Sequence, residues 1–286
     1  MIRGLYTAAS GLVSQQRRHD TVTNNIANMH TPGFKQTNAI TRTFPEMLLS
    51  LTGAGSEHAA TIGKLTTGVF AEESLSIHLQ GDLTQTNNSS DFAIVSNIEV
   101  DGVTFDASGK NVSPDGVVTF QPQAFFTLQN QNGELRYTRG GKFSVTDQGF
   151  LVASDGSNVL GTNGQPVQLP AGVSLDRLML TQDQRFVDAD GADTGIQLLI
   201  SRVNNPNELV RDGSGSFRFA GEGDTAPIAA AERVEVRQGY IERSNVDAAQ
   251  AAVDLMSALR AYEANQKVIQ FYDQSLNKAV NDIGRI

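Results

Sequence analysis

SNVDAAQAAVDLMSALRAYEANQKVIQFYDQSLNKAVNDIGRI, residues 244–286, is the stretch whose reading decides the fold. Leu255, Leu259, Tyr262, Ile269, Leu276, Val280 and Ile283 fall on one alternating spacing of four and three, interrupted only by Gln266 and Asp273. An apolar repeat of about 3.5 residues is the seam of a coiled coil. Ser244 is placed to cap the helix, and Asp247, three residues on, fits a capping-box variant and the positive end of the helix dipole. Ala248-Ala249-Gln250-Ala251-Ala252 supplies high helix propensity, and no proline or glycine follows until Gly284. The spacing predicts a helix of about 39 residues, roughly 58 Å long. So long a helix cannot be covered by one small domain, and part of its seam needs a partner.

The N-terminal end obeys the same rule. Leu5, Ala8, Leu12, Val22, Ile26 and Met29 share the spacing, interrupted by Gln15 and His19. This predicts a helix over about residues 4–29, ended by Thr31-Pro32-Gly33, because proline pushes the residues before it toward extended geometry and glycine permits a turn. His19, at a seam position, reads as an interface polar residue that sets register. The first helix leads into the middle of the chain and the last returns from it, so a pair formed within one molecule is antiparallel.

Between the helices the pattern changes. Residues 36–80 lack a dominant period and read as an extended connection. Within it, Phe44-Pro45-Glu46-Met47-Leu48-Leu49-Ser50-Leu51 is an apolar cluster. It is either a short helix opened by Pro45 or a docking segment, and residues 51–56 read as a loop. From about 81 to 237 short strands alternate with turns. Phe125-Phe126-Thr127-Leu128, a turn at Asn130-Gln131-Asn132-Gly133, and Leu135-Arg136-Tyr137-Thr138-Arg139 make a hairpin signal. Asp147-Gln148-Gly149, Asp155-Gly156 and Asn163-Gly164 punctuate the next strands, which argues for an antiparallel sheet. The expected class is α+β. Long N- and C-terminal helices (1–35 and 238–286) pair as an antiparallel coiled-coil-like core, with a connection at 36–80 and a mainly antiparallel β domain at 81–237.

Composition narrows the function. The net charge is −9 with no basic tract, which argues against nucleic acid and against an anionic membrane surface. The absence of cysteine removes disulfides, thiolate metal sites and cysteine nucleophiles. No apolar run reaches 18 residues, so no transmembrane helix is expected. The N-terminal stretch lacks a solid apolar region, being broken by Thr7, Ser10 and Ser14, and export without a cleaved signal peptide is expected. The four histidines (His19, His30, His58, His78) are scattered with no zinc-type spacing. Asp188-Ala189-Asp190-Gly191-Ala192-Asp193 starts like a calcium loop, but Leu199 stands where the bidentate glutamate belongs. Gly213-Ser214-Gly215-Ser216 has no P-loop lysine. No enzyme, cofactor or metal site is expected.

With the helices placed, a resemblance emerges. Asn24-Asn25-Ile26-Ala27-Asn28, followed by Thr31-Pro32-Gly33-Phe34-Lys35, resembles the N-terminal signature of the bacterial flagellar rod and hook proteins. Gln238-Gly239-Tyr240-Ile241-Glu242-Arg243-Ser244-Asn245-Val246-Asp247 and Arg260-Ala261-Tyr262-Glu263-Ala264-Asn265-Gln266-Lys267 are similar to its C-terminal signature. Gly81-Asp82-Leu83-Thr84-Gln85-Thr86, Asp91-Phe92-Ala93-Ile94 and Tyr137-Thr138-Arg139-Gly140-Gly141-Lys142-Phe143 resemble the rod-protein β domain. The resemblance covers nearly the whole chain, and its length is closest to the proximal and distal rod subunits and their Gram-positive paralogues.

It implies a structural subunit of the basal body, lying outside the cytoplasm, exported unfolded by the flagellar type III apparatus and polymerised with itself and other rod and hook subunits into a tube that transmits torque. Two departures stand out. Asn88-Ser89-Ser90 replaces a Gly-Pro-like pair, and residues 95–123 form a polar insertion. The competing reading is a secreted cell-wall-glycan-binding module that oligomerises through its helices.

Overall fold

The computed structural model describes all residues except 1, 51–60, 101, 107–108, 171, 214, 222–224, 230–231 and 284–286. The loop read at residues 51–56 lies outside the described residues, as do the connector residue Ser214 and the side chain of Ile283. The chain divides into two units. Unit one comprises Met1–Ala27, Thr37–Leu75 and Asp247–Ile286; unit two comprises Asn28–Gln36 and Ser76–Val246.

Unit one holds two helices, α1 (Ile2–Ala27) and α2 (Ala248–Lys278), the latter continued by a π-helical turn, Ala279–Ile283. Asp247, rather than Ser244, caps α2. Its carboxylate accepts from the Ala249 and Gln250 amides at 2.8 and 3.1 Å, which satisfies donors the helix itself leaves free. Ser244 instead makes a local turn with the Val246 amide.

The two helices are neighbours, and residue numbers fall on one as they rise on the other. A Cβ on Gly4 would collide with the Tyr272 hydroxyl. Gly11 faces Asn265, and the Arg18 guanidinium pairs with Asp254 at 3.2 Å. The row of α2 turned inward is Ala251, Leu255, Ala258, Tyr262, Asn265, Ile269, Tyr272 and Leu276, with Ala251 and Ala258 buried and the rest half-buried. Of the repeat positions, Leu255, Tyr262, Ile269 and Leu276 lie on this row. Leu259 is 40% and Val280 69% exposed. The physical reason is close approach: glycine and alanine, which a search for large apolar residues passes over, let the helix surfaces meet. On α1, Val22 is buried with Ala8, while Leu5, Leu12 and Ile26 are half-buried.

The other flank of α1 lies against its own connection. Thr7 donates to the Thr67 carbonyl, and Ser10 accepts from the Val69 amide. Residues 36–80, read as an extended connection, contain paired strands. Thr41–Thr43 pairs with Val69–Ala71 and Met47–Ser50 with Thr61–Leu65, both antiparallel. Within the apolar cluster at 44–51, Met47–Ser50 is thus strand rather than helix. The partner that fixes it, Thr61–Leu65, is separated from it in sequence, where local propensity cannot register it.

Unit two is β-rich and antiparallel throughout its described pairings. Its main sheet is built on Gln123–Gln129, which pairs with Leu135–Thr138 across the expected Asn130–Gly133 turn and with Ile200–Val203 on the other side. Both faces of this strand are buried. Phe126 and Leu128 enter the larger core with Phe92, Phe143 and Phe186, while Phe125 enters a smaller one with Tyr137 and Phe217. Aromatic edges meet ring faces there, as between Phe126 and Phe143 (5.1 Å, 81°). Within the insertion at 95–123, Lys110–Val112 and Val118–Phe120 pair as a hairpin. Two further pairs close the unit: Phe92–Ser96 with Val234–Gln238, and Leu83–Gln85 with Tyr240–Glu242.

Candidate functional site

Three separated motifs converge within unit two on one carboxylate. Glu242, from the strand Tyr240–Glu242, is wholly buried. Its Oε1 accepts from Lys35 Nζ at 2.6 Å and from the Gly81 amide at 2.9 Å, and its Oε2 accepts from Arg139 Nε at 2.8 Å. Lys35 and Arg139 are each 1% exposed. Two cations on one anion would leave an uncompensated charge in a low-dielectric interior, and backbone carbonyls take up the remaining donors. Lys35 also donates to Leu79 O (2.7 Å), and Arg139 donates to Ala124 O (2.8 Å) and Ile94 O (3.1 Å).

Local backbone explains why these segments can meet. Gly33 has φ +71°, and a Cβ there would run into the Gly140 nitrogen. A Cβ on Gly141 would overlap the Phe92 carbonyl oxygen. Only glycine permits either contact. The Gly33 amide donates to Glu242 O at 2.8 Å, so the motif is held by main chain as well as by charge. Asn245 accepts from the Gln36 amide at 2.7 Å and donates to Ile77 O at 2.9 Å. Phe34 lies under the Arg211 guanidinium, 4.1 Å from its ring centroid, and Arg211 donates to Lys35 O at 2.6 Å.

Burial shifts the titrations. Desolvation, then the Arg139 charge, lowers Lys35 to about 8 against the pull of Glu242. Burial works to raise Glu242, but Arg139 and Lys35 outweigh it and hold the carboxyl below its ordinary value. His78, between the rings of Phe125 and Phe217 (6.1 and 5.8 Å), is pushed down to about 3 by burial and then by Lys35, Arg139 and Arg211. It is neutral at physiological pH. The cluster binds segments of the chain to one another, and nothing in its geometry presents a reacting atom to solvent.

The other signature residues divide between the units. Asn25 is buried in unit one. Its side chain donates to Thr37 O (2.8 Å) and accepts from the Thr37 amide (3.0 Å), pinning residue 37 to the end of α1. Asn24, Ala27 and Glu263 are exposed, and Asn28 and Val246 are half-buried. Lys35, Arg139 and Glu242 stand within the signature motifs, but sequence reasoning assigned them no role. The available signal was a charged residue lodged among glycine and apolar neighbours in each of the three.

The second feature is the surface unit one leaves uncovered. Tyr6 and Val13 on α1, and Val253, Met256, Phe271 and Val280 on α2 and its π-helical continuation, are between 51% and 69% exposed. Met47 and Leu48 of the paired strands are 58% and 66% exposed. Among the described residues no cluster could hold a metal ion, and no helix is long and apolar enough to cross a membrane.

Helices with exposed apolar faces and a β-rich unit tied by its chain ends define a structural, self-associating class, and the relatives give the family. Residues 5–35 match the family described as flagella basal body rod protein, 121–192 the flagellar hook protein FlgE/F/G D1 domain, and 237–282 the flagellar basal body rod FlgEFG protein C-terminal region. The chain is 32% identical over 292 residues to the flagellar hook-basal body complex protein FlhO of Bacillus subtilis, covering 100% of both. It is 29% identical to the flagellar basal-body rod protein FlgG of the same organism (98% of this chain, 99% of the relative) and 31% identical to FlgG of Borreliella burgdorferi (98% of each). The chain belongs to the flagellar rod and hook protein family, whose members are structural proteins and not enzymes.

Proposed function

We propose that the chain is a structural subunit of the flagellar basal-body rod. In this reading α1 and α2 form an antiparallel coiled-coil-like core that packs against neighbouring copies, building a helical tube that transmits torque to the hook. The observation that carries it is the set of large apolar side chains still exposed on both helices after they have paired, from Tyr6 to Val280. A helix apolar on several sides belongs in a buried setting, and single molecules rarely leave such surface to water. The family supplies the setting: a rod subunit assembles with its own copies and with other rod and hook subunits.

On this reading Leu5, Leu12, Val22, Ile26, Leu255, Tyr262, Ile269 and Leu276 stabilise each subunit's helix pair. Leu259 and Val280 join Val253, Met256 and Phe271 as contacts between subunits, and Ile283 extends the same spacing. Export proceeds through the flagellar type III apparatus, with no nucleic-acid partner. The glycan-binding alternative gains no support from the relatives. The test is fractionation of purified hook–basal bodies. The subunit should co-purify with the rod in wild-type cells and be absent from the medium of an export-null strain. Recovery from that medium, or absence from intact basal bodies, contradicts the proposal.

A further inference from the structure

We infer that the Lys35–Arg139–Glu242 cluster is a clasp that keeps unit two from closing until both of its outer segments are present. Lys35 and Glu242 are 207 residues apart in sequence, and Arg139 and Glu242 are 103 apart. Until Glu242 arrives, Arg139 and Lys35 have no carboxylate partner at this site, and burying either cation alone is strongly unfavourable.

The backbone carries the same dependence independently of charge. Phe92, Ala93 and Ile94 are wholly buried, and the ladder partner of their strand is Val234–Gln238. Without that segment the backbone groups of Ala93, which lies opposite Arg237, would be buried unpaired, a cost native proteins avoid. Phe92 N–H is bonded to Gly141 O, and Ile94 O accepts from Arg139 itself. Val234 and Val236 also belong to the main apolar core. At the other end, Gly33 is seated against Arg139 and Gly140, and its amide is bonded to the Glu242 carbonyl. The core, its closing strand and both outer segments therefore form one cooperative body, and a hairpin such as 123–138 has no stable buried environment before closure.

For a subunit delivered as an unfolded thread, this holds the middle open until most of the chain has emerged, whichever end leads. That consequence rests on the export reading above; the folding order itself does not.

The experiment is refolding of the full-length native sequence from urea, with pulse-labelling hydrogen exchange read by mass spectrometry. Amides in 92–96 and 124–128 should gain protection in the same kinetic phase as those of Gly33, Gly81 and Arg243. Protection of 92–96 and 124–128 in a phase ten or more times faster overturns the clasp. A second measurement uses full-length Glu242→Gln under native conditions. Exchange should quicken at least tenfold at Ile94 and Phe126 as well as at Gly33 and Gly81. Acceleration confined to Gly33 and Gly81 would show a peripheral latch and contradict the inference. If the variant does not fold, the native-sequence experiment decides alone. Escape of the protein from an export-null strain would refute the export reading and leave this folding order untouched.

Discussion

Replacing Glu242 by glutamine preserves the shape of the buried site and removes the carboxylate that Lys35 and Arg139 share. Lys35 and Arg139, each 1% exposed, then face one another with neutral acceptors alone: main-chain carbonyls, the Ser96 hydroxyl and the new amide oxygen. Removing one partner of a buried ion pair costs about 3–5 kcal/mol, a large share of the ~5–15 kcal/mol by which domains are stable. In a domain of about 150–250 residues each kcal/mol moves Tm by about 2–4 °C, so a fall of about 6–20 °C is expected. Thermal melts of the full chain should be followed at a β-sheet wavelength and separately by tyrosine fluorescence. Lys35→Met is the internal control. It leaves a one-to-one Arg139–Glu242 pair, while Glu242 keeps the Gly81 amide and Leu79 O keeps Asn245. Its change should stay within about 1 kcal/mol, in either direction, because apolar replacement in a buried ionic site is often neutral. A Glu242→Gln variant melting within about 2 °C of the parent, less than 1 kcal/mol on the same scale, would show that the carboxylate does not hold the two cations in place.

Further measurements test the remaining chemistry. Lys35 is lowered to about 8 in the folded chain against an unfolded value near ~10.4. The unfolded state therefore holds more protons between those values, and stability should rise with pH across about 8–10.4, by on the order of 3 kcal/mol. Lys35→Met should lack that rise, and identical pH–stability curves for the two proteins would contradict the assignment. In unit one, Leu259→Asp should leave the melting of the isolated subunit nearly unchanged yet block polymerisation, because Leu259 is 40% exposed before assembly. Ile269→Asp should also lower helix stability, since Ile269 is half-buried on the row facing α1, and Gln250→Asp should be silent. Sedimentation and helical circular dichroism separate these cases.

The helices were legible because a 3.5-residue repeat is a local pattern, and their pairing direction came from chain topology. The pattern alone does not say which members of the repeat face the neighbouring helix. Gly4, Gly11, Ala251 and Ala258 contribute by being small, and a count of large apolar side chains is blind to that. The cap moved from Ser244 to Asp247 because Asn245 and Val246 are still in extended connection; both residues have capping chemistry, and only the main-chain path chooses. The strand Met47–Ser50 is missed by the sequence, which offers a short helix or a docking segment, because a short apolar run does not show its type until its partner, Thr61–Leu65, is known. The ionic cluster was hidden for a different reason. Its members are separated by 103 and 207 residues, and a lone charge in a motif gives no sign of the partner it will meet. The hairpin around residues 130–133 was legible because its turn residues and its strands are contiguous.

Rod assembly, as proposed, buries the exposed apolar residues of the terminal helices between subunits. Motility and basal-body morphology in a deletion strain carrying full-length Phe271→Asp probe that burial at a single side chain. Phe271 is 64% exposed in the subunit, so the substitution should cost the isolated molecule little. Inside an assembled tube it would place an unpaired carboxylate where water is excluded, a cost repeated in every copy. The expected result is a folded, exported subunit, basal bodies that stop short of a complete rod, and no swimming. Full-length rods and normal swimming with Phe271→Asp would show that these faces are not where the subunits meet.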